Sequence, residues 1–552
     1  MINAIKDIGK YLRENNEVNE ENIVRSLVTS VNSDKINEIL FIDILNDKEI
    51  KMHVEEFYKD IVTKALFYQA GNGALGGALR ADYFKDEEKE RVKFNKKIKS
   101  TLIYCGKEKF YEEIKEIIYE KIHNQGKNFL VVILIDGKYP YDLFKDKFLN
   151  KMYNDMFKKL IGQHVCHFCG EKTEVYNTTT FKFYTNDKEI YGSVEDSKKY
   201  GVTMCKSCLN DVLIGKKYVE EKLTSYWLDV NVMFLPHSFN DVVEEIYDSS
   251  SMKNNEEKNL ILNIREDEKT VLEMLGKGNT ETDIVFFEKE ASKTFYIYHT
   301  IKSLLPSKFG YLAELLDKYD IRLFNIIYYC TAIKVGLKGI ETTPKEKFKV
   351  VDSIFTGRKI DRNIFFSRAL KVYKQDYIKE NKKFTIRNIG KVYNFLVDCK
   401  CLEGGFDVMT KYKDYRELFD KNQRYFDRNE KKAWFLIGMS YSYINYMIKR
   451  SNSTEDGKLA DRSSLDKNFF FARKFDFKDF IYFSNLLSDK MVKYKISSGW
   501  LKGILTEAKE LMADEGKKLS ADEAKYIFFW GMDSYFEKEN DALCDLDDEI
   551  DN

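Results

Sequence analysis

The chain has 552 residues, 43% hydrophobic and 33% charged, and its 90 basic and 90 acidic side chains cancel. That length holds two to four domains with ample core, and the composition is globular rather than disordered. Zero net charge removes any argument from overall charge for nucleic-acid or membrane binding, so such a site must come from local segregation. The opening Met1-Ile-Asn-Ala-Ile-Lys-Asp-Ile8 has no apolar signal-peptide core. The strongest apolar run, Phe129 to Ile135, is far short of the roughly 20 residues a membrane span requires. Nine cysteines, odd in number, suit a reducing compartment, so a cytoplasmic location and no membrane partner are expected.

Residues 1–160 read as a mixed α/β domain. Glu38 to Leu45 is strand-like, Phe110 to Ile122 has helical spacing, and Asn128 to Ile135 is a buried strand closed by the turn Asp136-Gly137. Ala70 to Arg80 carries four glycines in seven residues. It lacks the spacing of a phosphate-binding loop and reads either as a flexible loop where backbone closely approaches a partner or as a plain connector. Arg91 to Lys99 holds five cations and no acid, which makes Lys93, Lys96 and Lys97 candidate phosphate contacts.

Residues 161–225 form a zinc-binding module. Cys166-His-Phe-Cys169 and Cys205-Lys-Ser-Cys208 are two Cys-x-x-Cys knuckles separated by 35 residues. Each turns two thiolates toward one point, as a tetrahedral Zn²⁺ site needs. The linker exceeds the usual 15 to 20 residues or so and holds its own hairpin, with Thr180 to Thr185 as a strand and Asn186-Asp187 as a turn. Four thiolates close the shell, so the zinc is structural, and His164 and His167 lie outside it. Leu209 to Leu223 is helical, interrupted at Gly215-Lys216-Lys217.

Residues 226–400 run from α+β to helical. Asn231 to Pro236 is a strand, and Asp283–Phe287 pairs with Thr294–Tyr298 as a hairpin. Residues 241–293 carry 14 acids and 7 bases, whereas 345–391 carry 14 bases and 5 acids. In the latter, Phe348, Phe355, Phe365, Phe366, Tyr373, Tyr377 and Phe384 interleave the charge. Two readings compete: a nucleic-acid groove using Arg358, Lys359, Arg362, Lys382 and Lys383, or amphipathic helices with aromatic cores and solvated lysines.

Residues 401–540 read as a C-terminal helical bundle, with helices at 428–450, 474–494, 500–512 and 521–536. The last opens with the capping box Ser520-Ala-Asp-Glu523, whose glutamate is expected to reach back to the serine. The tail 541–552 has six acids and no base and reads as disordered. The fold class is therefore α+β, with a mixed N-terminal region, an inserted four-cysteine module, a mainly helical region and a helical bundle.

No His-Glu-x-x-His, Gly-x-Ser-x-Gly or Walker sequence occurs. His53-Val-Glu55 with a Cys-x-x-Cys lacks the proline a zinc deaminase places before its first cysteine. Asp136 at a strand end is a conceivable metal carboxylate, but Asp-Gly there is ordinary turn chemistry. The expectation is a protein that is not an enzyme.

The order of features is similar to a known family. It runs from the first knuckle to Phe181-Lys-Phe-Tyr-Thr185, the second knuckle, Leu213-Ile-Gly215-Lys-Lys-Tyr218 and Leu235-Pro236. Lys431 to Gly438 and the closing Leu519 to Glu523 helix with Gly531 complete it. The chain resembles the large subunit of the type I-B CRISPR surveillance complex (Cascade), the Csh-type family, and the likeness spans essentially its whole length. The resemblance implies a non-catalytic subunit in antiviral defence that recognises the protospacer-adjacent motif on double-stranded target DNA and assists R-loop formation. It implies as partners the crRNA, held at its 5′ end, the backbone and repeat-processing subunits, the small subunit and the helicase-nuclease it helps recruit. It also implies a bundle resembling the small subunit, made separately from an internal start, for which Met409 suits better than Met439. The adjacent-motif readers match no motif in this sequence. A stand-alone zinc-ribbon regulator that binds nucleic acid, or a metal-dependent nuclease using Asp136, are the alternatives.

Overall fold

The computed structural model describes residues 1–15, 36, 38–65, 69–70, 73–74, 78–81, 88–125, 128–177, 202–248, 264, 267–289, 295–336, 339–378, 386–407, 412–451, 473–513 and 519–534. The fold is α+β, and its chain packs as two compact units. The first takes Met1–Ser225, Asn231–Ser249 and Thr280–Thr300; the second takes Tyr226–Val230, Ser250–Asn279 and Ile301–Asn552.

The first unit opens with helix α1 (Ile2–Asn15), then β1 (Glu38–Leu45) and β2 (Glu49–Glu56). β3 (Ala78–Ala81), α2 (Glu88–Tyr104), α3 (Tyr111–Gln125) and β4 (Phe129–Ile135) follow. The sheet order is β2-β1-β4-β3, with β1 and β4 parallel in the register Ile42↔Ile133. All seven residues of β4 are buried because both faces are covered, which is why that strand reads as an unbroken apolar run. Leu40, Ile42 and Ile44 meet Phe94, Ile98, Leu102 and Ile114 of the helices on one face. Ile39 and Phe41 pack with Ile61 and Leu130 on the other. The glycine-rich stretch contributes β3 and a two-residue hairpin, Gln69–Ala70 with Gly73–Ala74, rather than a plain connector.

Helix α4 (Lys145–Met156) leads into the cysteine module through β5 (Lys158–Lys159), β6 (His164–Val165), β7 (Lys172–Thr173), β8 (Val175–Asn177) and β9 (Thr203–Cys205). Helix α5 (Lys206–Lys222) follows as one unbroken rod; the expected interruption at Gly215 is absent. The glycine is there for space. A Cβ on Gly215 would lie 1.9 Å from the Ile5 carbonyl oxygen, and one on Gly9 would lie 1.7 Å from that of Asp211. Helix α1 thus lies backbone to backbone on α5, with Arg13 Nε donating to Asp211 at 2.7 Å. β10 (Thr224–Trp227), β11 (Val230–Pro236), helix α6 (Asp241–Asp248), β12 (Thr282–Lys289) and β13 (Phe295–Leu304) come next. These four strands form a sheet in chain order, which contains the expected hairpin as β12 and β13.

The second unit is helical. It comprises α7 (Glu268–Gly276), α8 (Pro306–Tyr319), α9 (Leu323–Thr331), α10 (Pro344–Thr356), α11 (Arg362–Ile378) and α12 (Ile386–Asp398). The bundle is α13 (Tyr415–Lys421), α14 (Asn429–Ser451), α15 (Phe477–Lys493), α16 (Gly499–Ala513) and α17 (Ala521–Met532). α14 is its axis, packed against α15, α16 and α17, and Trp434 at its centre is buried among Phe475, Phe480 and Phe483. α14 and α17 cross at glycines, where a Cβ on Gly438 would sit 2.0 Å from the Phe528 carbonyl oxygen and one on Gly531 would sit 2.1 Å from that of Phe435. Met439 is buried inside α14, while Met409, the 180–187 hairpin and the 541–552 tail lie outside the described residues.

Candidate metal centre

β6 and β7 pair antiparallel, with His164 opposite Thr173, and hold the first knuckle in the turn between them. The Cys166 amide donates to Glu171 O at 2.8 Å, and the Gly170 amide to Cys166 O at 2.9 Å. Gly170 sits at φ +76°, a conformation that favours glycine. The second knuckle bridges β9 and α5. Cys205 ends the strand opposite Val175 and is also the N-cap of the helix, its sulfur accepting from the Cys208 amide at 3.5 Å.

This arrangement brings the Sγ atoms of Cys166, Cys169, Cys205 and Cys208 within 4.8 Å of one another, the one such cluster of potential metal ligands among the described residues. Cys169 and Cys205 sulfurs are 3.8 Å apart, close to the edge of a tetrahedron built on Zn–S bonds of about 2.3 Å. Three of the cysteines are buried and Cys169 is exposed. The Cys205 amide donates to Cys166 Sγ at 3.3 Å, tying one knuckle to the other.

The thiols oppose one another electrostatically. Burial pushes Cys166 up, but amide donors from Cys205, Cys169 and Phe168 outweigh it and bring it down to about 7. Cys208 is driven well up by burial, by its bond to Cys205 and by charge on Cys166. Sulfurs crowded this closely cannot all carry charge unless a cation sits among them. The donor set therefore fits a soft divalent ion, and four sulfurs leave no position for water or substrate.

The two histidines stand aside. His167 Nδ1 accepts from the Thr203 amide at 3.2 Å, and His164 Nε2 contacts Ile161 O at 2.9 Å. Behind the second knuckle, Tyr153 donates to Asn210, Lys206 stacks over the Tyr153 ring, and α1 braces α5. Nothing in sequence spacing ties α1 to the cysteines; the paired glycines 9 and 215 were the available clue.

The nucleic-acid candidates are not brought to one place. Lys96 on α2 is exposed and Lys97 half-buried; Lys93 lies on the same helix, and Lys382 and Lys383 fall outside the described residues. Arg358 is exposed and pairs with Asp352 at 2.6 Å, and Lys359 pairs with Glu403 at 2.8 Å. Arg362 differs from both: it is drawn inward, ion-paired to buried Glu523 and faced by the rings of Phe366, Tyr393 and Tyr425. The carboxylate of Glu523 turns to Arg362 and Lys431 instead of back to Ser520, although the Ser520 hydroxyl does accept from the Glu523 amide at 3.3 Å.

Among the described residues, four of the segment's 14 cations are met by acids from outside it: Lys347 by Asp229, Lys391 by Asp320, Lys359 by Glu403 and Arg362 by Glu523. Its aromatics Phe348, Phe355, Phe365, Phe366 and Tyr373 are buried core rather than stacking platforms. Asp136, φ +50°, accepts from the Asn46 amide at 2.6 Å, a turn role.

The central-domain model of the CRISPR-associated protein TM1802 family (cas_TM1802) matches residues 163–304, and the family's C-terminal-domain model matches residues 323–542. A search of curated proteins finds no match. The first match takes in both knuckles and α5; the second takes in the basic segment and the whole helical bundle. Together they span more than half of the sequence, and the chain belongs to the CRISPR-associated protein TM1802 family.

Proposed function

We propose that this CRISPR-associated chain is the non-catalytic large subunit of a type I-B Cascade ribonucleoprotein. In that role it recognises the adjacent motif on target DNA, assists R-loop formation and helps admit the helicase-nuclease. The supporting observation is membership of a CRISPR-associated family in a chain whose one cluster of potential metal ligands among the described residues is a closed set of four thiols. Such a centre shapes a scaffold and activates nothing; zinc held by Cys166, Cys169, Cys205 and Cys208 would clamp the 166–170 turn to the start of α5. The division of labour suits a neutral protein. Guide RNA supplies sequence by base pairing, and the protein reads a short duplex motif and phosphates. Lys96, Lys97, Arg358 and Lys359 remain the phosphate contacts of this reading. Arg362 does not, because reversing its charge would oppose a buried carboxylate.

The deciding experiment is co-expression with neighbouring CRISPR-associated subunits and a repeat array. Copurified small RNA, and DNA binding by the complex that requires a flanking motif, are expected. Tight, salt-sensitive binding by the isolated chain without RNA would instead make it a stand-alone regulator. Divalent-metal-dependent cleavage abolished in Asp136→Ala would make it a nuclease.

A further inference from the structure

Unlike the paired cations of the basic segment, one cluster of lysines in the second unit forms no ion pair among the described residues. Helix α15 ends in a left-handed turn at Lys495, φ +53°, with the Ile496 amide donating to Met491 O at 2.9 Å and the Lys495 amide to Val492 O at 3.2 Å. The chain then enters α16, capped by Ser498, whose hydroxyl accepts from the Leu501 amide at 3.3 Å. Between the two helices lies a groove of about 610 Å³. Its apolar surface is Val492, 80% exposed, above Ile496 and Leu505, which are buried beneath it. Its rim carries Lys495, Lys502 and Lys509, which form no ion pair among the described residues. Lys502 and Lys509 are seven residues apart on α16 and share a face, about 10 Å apart along it.

The chain supplies a complementary segment. Residues 535–552 hold eight acids and one lysine. Within them Leu543, Leu546 and Ile550 fall at i, i+3 and i+7, a single stripe on a helix, flanked by Asp541, Asp545, Asp547, Asp548, Glu549 and Asp551. We propose that residues 541–551 dock in the α15–α16 groove as an amphipathic helix. The stripe lies on Val492, and the carboxylates meet Lys495, Lys502 and Lys509.

Eleven helical residues span about 16 Å, enough to cover Lys502 and Lys509 together. The linker 535–540 reaches about 20 Å when extended. The end of α17 is tied to α16 by a short path: Trp530 packs on Phe435, Phe435 on Phe419, and Tyr415 beside it donates to Glu507 at 2.7 Å. Alone, so acidic and short a segment cannot hold a helix in water; the groove gives its stripe something to bury against. Seated there, it occupies three cations that would otherwise attract any polyanion.

Zero-length carbodiimide cross-linking of the full chain, read by mass spectrometry, tests the contact directly. Links from Lys495, Lys502 or Lys509 to acids of 541–551 are expected, several-fold fewer at high salt. Hydrogen exchange gives the second readout. Amides of 488–509 should exchange several-fold faster in a chain ending at Ser534, and equally fast in full-length Lys495→Glu/Lys502→Glu/Lys509→Glu. Unchanged exchange in α14 would certify that both variants are folded. Absence of those links, or equal groove exchange with and without 535–552, overturns the proposal. Protection of the groove by an added oligonucleotide to the same extent in both chains also overturns it, and assigns the groove to nucleic acid.

Discussion

Cys205 holds three posts at once. It ends a strand, caps a helix and offers a sulfur to the cluster, while its amide reaches Cys166. Replacing Cys166 and Cys205 with serine is expected to abolish zinc in freshly purified protein. It should also lower the melting temperature sharply, since structural zinc contributes on the order of 10 kcal/mol or more of apparent binding energy; metal analysis and calorimetry read both. Glu523 is the residue where charge is most committed, with Arg362 on one side and Lys431 on the other. Glu523→Gln should cost about 3–5 kcal/mol in denaturant unfolding, because it strands buried cations. Lys359→Gln, which breaks an exposed pair, should cost less than about 1 kcal/mol. Glu346 gives a pH signature: the bond from Arg368, helped by Lys349, holds its carboxyl below the usual range against burial. A carboxylate whose folded value is depressed stabilises the fold at neutral pH and loses that contribution as pH falls through the folded value. Glu346→Gln should therefore flatten the acid limb of the stability profile without changing the alkaline limb.

At the level of elements, what was legible was what short-range pattern controls. β1 occupies Glu38–Leu45 as its composition indicates, the four long bundle helices fall within a few residues of their periodic runs, and the two knuckles converge as their spacing requires. What was not legible depended on remote partners. Gly215 reads as a break by propensity, yet it is the point where α1 touches α5, and Arg362 reads as a surface cation until Glu523 of a distant helix claims it. The glycines provide a signed test. Gly438→Ala places a methyl against a backbone carbonyl and is expected to destabilise by roughly 3 kcal/mol, since neither helix can yield a side chain. Gly503→Ala on α16, with open space around it, should stabilise by about 1 kcal/mol through helix propensity. Thermal melts of the two variants should move in opposite directions.

At the scale of the whole molecule, the first unit is assembled from three separate stretches, and its opening helix finds its partner only at α5. That has a temporal consequence during synthesis. Ile5, Ile8 and Leu12 leave the ribosome with nothing to cover them until α5 has also emerged. At about 5–20 residues per second, that wait is roughly 10 to 40 seconds. Nascent chains stalled before residue 206 should hence be sticky, and should engage trigger-type chaperones through this helix until the second cysteine pair arrives to receive it.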